Sequence, residues 1–290
     1  MQTPAPVDYE RASSVEHALQ LLAERGPDSL LIAGGHSLLP MMRLRLATPD
    51  CVIDINDLTD LDYIRVDADD LVLGAMTRHA SVLASALVGE HYPVFHDAER
   101  MIADPVVRNR GTVGGSFCQA DPAENLSAIG STLRATMVIR SAGGERRVPA
   151  REFHTGPYET VVGDAEILTE IRVPIRPGAG SAHEKVERRA GDWGAAASAA
   201  YLVLRDGRIA DVGVGLSAVG AEHFCAPEAE AFLLGKEPTE AAIAEAARLA
   251  AAAANPVADQ RGPVDYKLHL AEELTKRALR TSVERASGRA

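Results

Sequence analysis

Two short segments carry the residue types best suited to chemistry, Ala33, Gly34, Gly35, His36, Ser37, Leu38, Leu39, Pro40 and Arg110, Gly111, Thr112, Val113, Gly114, Gly115, Ser116. Each sets paired glycines beside small hydroxyl side chains. With no Cβ in the way, successive backbone N–H groups can converge on one point and form a concavity that binds phosphate oxygens, and Ser and Thr hydroxyls add donors. One such segment alone reads as a tight turn. Two in one chain describe a pair of loops able to grip one pyrophosphate.

Other arrangements fail on their spacing. Residues 213–220, Gly-Val-Gly-Leu-Ser-Ala-Val-Gly, place the third glycine of a dinucleotide fingerprint two residues too late and on a hairpin strand. Gly235-Lys236 lacks the Ser or Thr and the earlier glycine of a phosphate loop. Neither glycine segment closes with the last glycine of a nucleophile elbow, so serine-hydrolase chemistry loses support. The nine histidines form no HExxH pair, and Cys51, Cys118 and Cys225 form no CxxC pair, which argues against zinc ribbons, disulfide scaffolds and iron–sulfur cradles in this chain. Thirty Lys and Arg against 41 Asp and Glu give a formal charge of -11, unsuited to nucleic acid as a main partner. With 46% hydrophobic and 24% charged residues, the 290-residue chain is a folded protein of one large or two ordinary domains. It has no apolar run of membrane-helix length, and the start Met1-Gln2-Thr3-Pro4 has no signal-peptide character, so the expected location is the cytoplasm.

The elements that must position these loops follow from pattern. Ser13-Ser14-Val15-Glu16 reads as a capping box, with Val15, Ala18, Leu19 and Leu22 at helical spacing and Gly26 as the stop. Short apolar strands read at 29–33, 51–55 and 71–75, helices over 79–88, 93–102 and after Asp121-Pro122, and strands at 137–139 and 167–173. The break at Pro177-Gly178-Ala179-Gly180-Ser181 reads as a domain boundary. Beyond it, Asp206-Gly207 between two apolar runs predicts a hairpin, and two alanine-rich helices follow at 239–254 and 265–286.

The stretch AGGHSLLPMMRLRL, then VRNRGTVGGSFCQADPAENL, then residues 167–171 and Lys185 to Trp193 together closely resemble the FAD-binding medium subunit of molybdenum hydroxylases. Within that family of xanthine dehydrogenases and aerobic carbon monoxide dehydrogenases, the resemblance is nearest to the latter's medium chain. It covers almost the whole chain and implies an α+β fold. That fold is a p-cresol methylhydroxylase-type FAD-binding domain over 1–177, made of two α/β subdomains (about 1–57 and 58–177), followed by a C-terminal sheet-and-helix domain over 178–290. It also implies that Ile32, Ala33, Gly34, Gly35, His36, Ser37 and Leu38, with Thr112, Val113, Gly114, Gly115 and Ser116, hold the pyrophosphate and ribityl part of a non-covalent FAD. Leu168 and Lys185 match positions near the flavin end, and Ile102 one that lines the site. Asn125 stands where family members often have an aspartate that bonds FAD hydroxyls, and Gln119 where a histidine is common. Asn still donates and accepts. Trp193 either stacks on the flavin ring or is a core or subunit-interface residue; His79 belongs either to the cofactor shell or to the surface.

The implied function is electron transfer by an oxidoreductase subunit with no catalytic residues for the substrate. In the family it resembles, a large subunit oxidises substrate at a molybdenum cofactor, a small subunit carries two [2Fe–2S] clusters, and FAD passes the electrons to a terminal acceptor. Such a complex can also bring the chain to the inner face of the membrane. Two alternatives stand beside this one. A standalone flavin oxidase is suggested because Gly35-His36-Ser37 also resembles the loop of oxidases whose histidine carries covalent flavin. A flavin-free scaffold subunit is suggested by Asn125.

Overall fold

A computed structural model describes residues 3–288; Met1 and Gln2, at the start read as lacking a signal peptide, lie outside them. Three larger sheets follow one another along the chain, with a two-stranded ribbon of His154–Gly156 and Glu159–Thr160 inserted within the second. The first is parallel, with strand Cys51–Asp54 between strands Asp8–Arg11 and Ser29–Ile32. Helix Val15–Arg25 buries Val15, Ala18, Leu19 and Leu22 against it and stops at Gly26, whose φ of 79° suits a residue without Cβ. The cap falls one residue later than the sequence suggests. Ser14 Oγ accepts from the His17 N–H at 3.1 Å, and His17 Nδ1, rather than Glu16, reaches back to the Ser13 N–H at 3.2 Å.

The second sheet is antiparallel and five-stranded, in the order Ile64–Asp67, Asp70–Gly74, Glu166–Pro174, Thr136–Ser141, Gly144–Pro149. Its middle strand, all but continuous in buried residues, pairs with segments some 100 and 30 positions earlier in sequence. Helices Pro93–Met101, Val113–Gln119 and Asn125–Thr132 close over a core that includes Phe95, Phe117, Leu126, Ile129 and Met137. The helix expected over 79–88 is two, His79–Ala84 and Ala86–His91, because Ser85 turns extended and its Oγ caps the second by accepting from the Val88 N–H.

The third sheet is the antiparallel meander Gly180–Glu187, Gly194–Arg205, Arg208–Ser217. Arg205 pairs with Arg208 across Asp206 and Gly207, both at positive φ (52° and 74°), as a two-residue hairpin turn demands. Helices Glu240–Ala252 and Val264–Ala286 pack around Leu202, Val214, Leu216, Leu274 and Leu279. Helix Asn125–Thr132 of the preceding lobe also lies on this sheet. A Cβ on Gly213 would run into the Thr132 carbonyl, and one on Gly215 would sit 2.7 Å from the Ala128 carbonyl oxygen. The Gly-Val-Gly run therefore marks close helix-to-sheet packing. Arg176 ties the same junction, stacking 4.6 Å over the Tyr201 ring and donating to Asp211 and the Leu133 carbonyl.

Six strands escaped the sequence reading: Ile64–Asp67, His154–Gly156, Glu159–Thr160, Gly180–Glu187, and the two most charged, Asp8–Arg11 (Asp-Tyr-Glu-Arg) and Gly144–Pro149 (Gly-Glu-Arg-Arg-Val-Pro). Both are sheet edges facing solvent, where charge is the expected composition and apolar alternation is absent. Among the described residues, no helix is long and apolar enough to cross a membrane.

Because Gly215 is pinned between sheet and helix, Gly215→Ala should lower stability by about 1–3 kcal/mol in urea unfolding. Gly207→Ala, whose Cβ would meet nothing within 4 Å, should cost only the left-handed penalty of about 1 kcal/mol. Equal losses would show that helix packing is not what keeps residue 215 a glycine.

Candidate functional site

The parallel strand Ser29–Ile32 delivers the first glycine loop at its C-terminal end, the edge of an α/β sheet where ligand crevices form. There the loop borders a cleft of about 540 Å³ between the first two lobes, with residues 191–193 of the third completing the rim. Ile32, Ala33, Gly34, Gly35, His36, Ser37 and Leu38 all line it, as do Thr112, Gly114, Gly115, Ser116, Ile102, Asn125, Leu168, Lys185 and Trp193. Val113 does not. Its side chain is fully buried in the core and its N–H donates to the Thr77 carbonyl at 2.9 Å.

The two loops are unlike in what they offer. Among the described residues, the N–H groups of Gly34, Gly35, His36, Ser37 and Leu38 find no acceptor, and Gly35 at φ 77° turns the run into a concave nest of donors. The second loop has its donors engaged. Gly114 N–H bonds the Ala75 carbonyl at 2.8 Å, Gly115 N–H bonds Thr112 Oγ1 at 3.1 Å, and Ser116 N–H bonds the Thr112 carbonyl at 3.0 Å. The expectation that both loops present converging N–H groups is thus corrected: one loop donates, the other supports. Gly114 is a glycine because a Cβ would lie 2.6 Å from the Ala75 Cβ, a packing reason and not room for a ligand.

What joins the loops was not found from sequence. Asn56, two residues past strand Cys51–Asp54, donates to the Ala33 carbonyl at 2.5 Å and to Asp54 Oδ1 at 2.7 Å. Its Oδ1 accepts from Arg78 at 3.1 Å and from Arg110 at 3.3 Å, and Arg78 also donates to the Arg110 carbonyl. A Cβ on Gly34 would fall on that same Arg110 carbonyl, so the loops touch backbone to backbone. The one available signal was position, an Asn at the end of a parallel strand beside the strand that carries the loop.

At the far end of the cleft, Lys185 is a strut. Its buried ammonium donates to the Met101 carbonyl at 2.9 Å and the Asp192 carbonyl at 2.7 Å, beside the Glu187 carboxylate at 2.8 Å. Gly191, at φ 79°, packs where a Cβ would come within 2.5 Å of the Ala103 carbonyl oxygen. These contacts hold Trp193 at the rim, 37% exposed, which removes the core reading. Asn125 is 3% exposed and its Oδ1 is buried with no partner, a lone acceptor in the cleft wall. Gln119 reaches across to Met41 Sδ at 3.7 Å. His79 is buried, not a surface residue. Its Nδ1 bonds the fully buried Glu99 carboxylate at 2.9 Å and its Nε2 bonds Ser116 Oγ at 3.0 Å. Burial alone would push this imidazole down, but Glu99 outweighs it and holds the pKa above the usual histidine range. Glu124, also in the wall, is raised by burial. Glu99 and Glu124 carry no sequence signal that set them apart.

A run of unbonded N–H groups and an unpartnered buried acceptor in the walls of one cleft, with apolar residues among the rest of its lining, suit a dinucleotide ligand. Residues 5–176 match the family described as FAD binding domain in molybdopterin dehydrogenase, and residues 181–282 the CO dehydrogenase flavoprotein C-terminal domain. The chain belongs to this family, the FAD-binding medium subunits of molybdenum hydroxylases. It is 37% identical to the carbon monoxide dehydrogenase medium chain of Afipia carboxidovorans, covering 99% of both chains. To the glyceraldehyde dehydrogenase medium chain of Sulfolobus acidocaldarius it is 35% identical, over 96% of this chain and 98% of the other. Among solved structures, carbon monoxide dehydrogenase from Hydrogenophaga pseudoflava superposes with a TM-score of 0.95 at 40% identity, covering 98% of this chain and 99% of that one.

Since Asn56 bonds both loops, Asn56→Ala should weaken FAD retention by roughly 5–30-fold, the loss of one or two net hydrogen bonds. Flavin content after exhaustive dialysis reads this directly. Unchanged retention in a folded variant would mean that the loops hold each other without the clasp.

Proposed function

We propose that the cleft holds FAD non-covalently and that this chain carries electrons between a partner's iron–sulfur clusters and a terminal acceptor. The observation that carries this reading is the unengaged N–H run Gly34 to Leu38 facing a cleft whose wall holds the unpartnered Asn125 Oδ1. Bound FAD would supply the redox chemistry, taking electrons singly and releasing them in pairs. The chain's own residues bind and orient. The first-loop N–H groups suit the pyrophosphate oxygens, and Asn125 Oδ1 can accept from a hydroxyl of the cofactor. Ile102 and Leu168 give an apolar wall for the ring, and Trp193 a face for stacking at the rim. Lys185 keeps the segment bearing Trp193 in place.

The partners follow from the same reading: a large subunit with the molybdenum cofactor, where substrate is oxidised, and a small subunit with [2Fe–2S] clusters. Among the described residues no group of three or more His, Cys, Asp or Glu side chains could hold a metal ion. The chain is similar to medium chains of both carbon monoxide and glyceraldehyde dehydrogenases, at 37% and 35% identity, which supports a substrate choice made outside it. We also propose a domain division near residue 177, with the cofactor domain before it and subdomains meeting near residue 57. The gap between the two family matches and the separate sheets support that division.

The purified chain should be yellow, and acid precipitation should leave the colour in the supernatant. Colour in the pellet would point to a histidyl-linked oxidase, and a folded chain that takes up no FAD to a scaffold. The flavin should bleach with substrate only after the molybdenum and iron–sulfur partners are added. Substrate turnover by the lone chain would return the standalone oxidase to first place.

A further inference from the structure

Ser116, His79 and Glu99 lie in a hydrogen-bonded line, with 3.0 Å from Ser116 Oγ to His79 Nε2 and 2.9 Å from His79 Nδ1 to Glu99. The order is that of a serine-hydrolase triad, yet the second half of such a site is missing. The N–H groups of Gly115 and Ser116, those nearest the hydroxyl, are already bonded to Thr112, so they cannot stabilise an oxyanion there. The line ends at the cleft, where Ser116 is half-buried, and it begins at a carboxylate with no exposure at all. Its members come from three separate places: the helix starts at residues 79 and 113, and the last turns of helix Pro93–Met101.

We propose that His79 is a positioning residue that sets the direction of the Ser116 hydroxyl, turning it into a donor toward the phosphates of the bound cofactor only while the imidazole is protonated. This inference rests on the FAD reading and concerns the same cleft. Its logic is donor counting. A protonated His79 has an N–H on both ring nitrogens; Nδ1–H donates to Glu99 and Nε2–H to Ser116 Oγ, which leaves the Ser116 O–H free to point into the cleft. A neutral His79 keeps the Nδ1–H on Glu99 and presents a lone pair at Nε2. Ser116 must then donate its own proton to His79, and only oxygen lone pairs face the cleft. Next to a phosphate, the first state is a hydrogen bond and the second a repulsion.

The groups facing His79 favour the protonated state. Glu99 from helix Pro93–Met101 lies against it, its own carboxyl pushed up by burial and drawn back by His79; Glu124 from the turn before helix Asn125–Thr132, likewise raised by burial, adds attraction, and Arg108 from helix Pro105–Arg108 opposes. His96 faces Glu99 from the same helix. The imidazole pKa is held above the usual histidine range, so the donor state is favoured by its surroundings and is lost as the pH rises through the imidazole's own pKa. The ring is also fixed in place: a Cβ on Gly111 would lie 2.9 Å from His79 Cδ2, and the His79 N–H donates to the Gly111 carbonyl. Protonation therefore reorients a hydroxyl without moving a ring.

The test titrates the full chain, stripped of flavin, with FAD by fluorescence quenching from about pH 6 to about pH 9. Affinity should hold on the acid side and then fall by up to about tenfold per pH unit, the limit for one linked proton. Ser116→Ala should bind FAD with a flat profile, and so should His79→Gln, whose amide cannot titrate. ADP should follow the FAD profile in the wild-type chain, whereas riboflavin, which lacks phosphate, should not. Ser116→Ala binding with the wild-type slope would overturn the proposal, as would a flat wild-type profile with FAD bound throughout. No FAD uptake by the wild-type chain at any pH would sink the cofactor assignment itself, and this inference with it.

Discussion

The site depends on one backbone contact between loops from different sheets. Gly34 rests against the Arg110 carbonyl with no room for a Cβ, and Asn56 spans the join by donating to Ala33 and accepting from Arg78 and Arg110. Without that contact the parallel lobe would present its free N–H groups to open solvent. With it, they face a wall that excludes water from one side. A cluster of donors that water can reach binds an anion weakly, because each protein bond replaces one to water; partial enclosure makes the exchange favourable.

The asymmetry between the loops follows from that requirement. A cradle needs one part that is free to bond a ligand and one that is already bonded and cannot collapse into the gap. The second loop is the bonded part. Thr112 caps its helix, Val113 and Gly114 dock on the Thr77 and Ala75 carbonyls, and His79 buttresses it from behind. Burying Glu99 and His79 to do this is costly unless they pair, which is why they occur together at hydrogen-bond distance.

The first loop, the hairpin and most helices were legible in the sequence because each rests on a local rule: paired glycines at a turn, Asp-Gly between apolar runs, periodic apolar residues after a cap; the second paired-glycine segment, read as a turn, is instead the start of helix Val113–Gln119. The cleft wall was legible only through family resemblance, which placed Leu168, Lys185 and Trp193 far along the chain. What stayed hidden depends on tertiary contact. Asn56 looks like any polar residue after a strand, Glu99 like any charged position on a helix, and the second loop's N–H groups look as free as the first's until their acceptors at Ala75 and Thr77 are in place. Gly213 and Gly215 are held by a helix lying on their strand, a reason that spacing alone does not reveal. The charged edge strands are a different case, since composition there reflects solvent on one side and not pairing on the other.

The third lobe enters the site by two routes. Helix Asn125–Thr132 is held between the second lobe's core and the Gly213–Gly215 face of the third sheet, so the depth of that packing sets where Asn125, its first residue, meets the cleft. Lys185, on the sheet's first strand, fixes Asp192 to Met101 and thereby fixes Trp193 at the rim. Both routes pass through contacts that tolerate no added atom, the glycines at 191, 213 and 215. A change in how the third lobe seats would therefore reach both the polar wall and the aromatic rim while leaving the donor nest of the first lobe untouched. The division of labour is physical: the first lobe supplies charge complementarity for phosphates, and the third adjusts the environment at the other end.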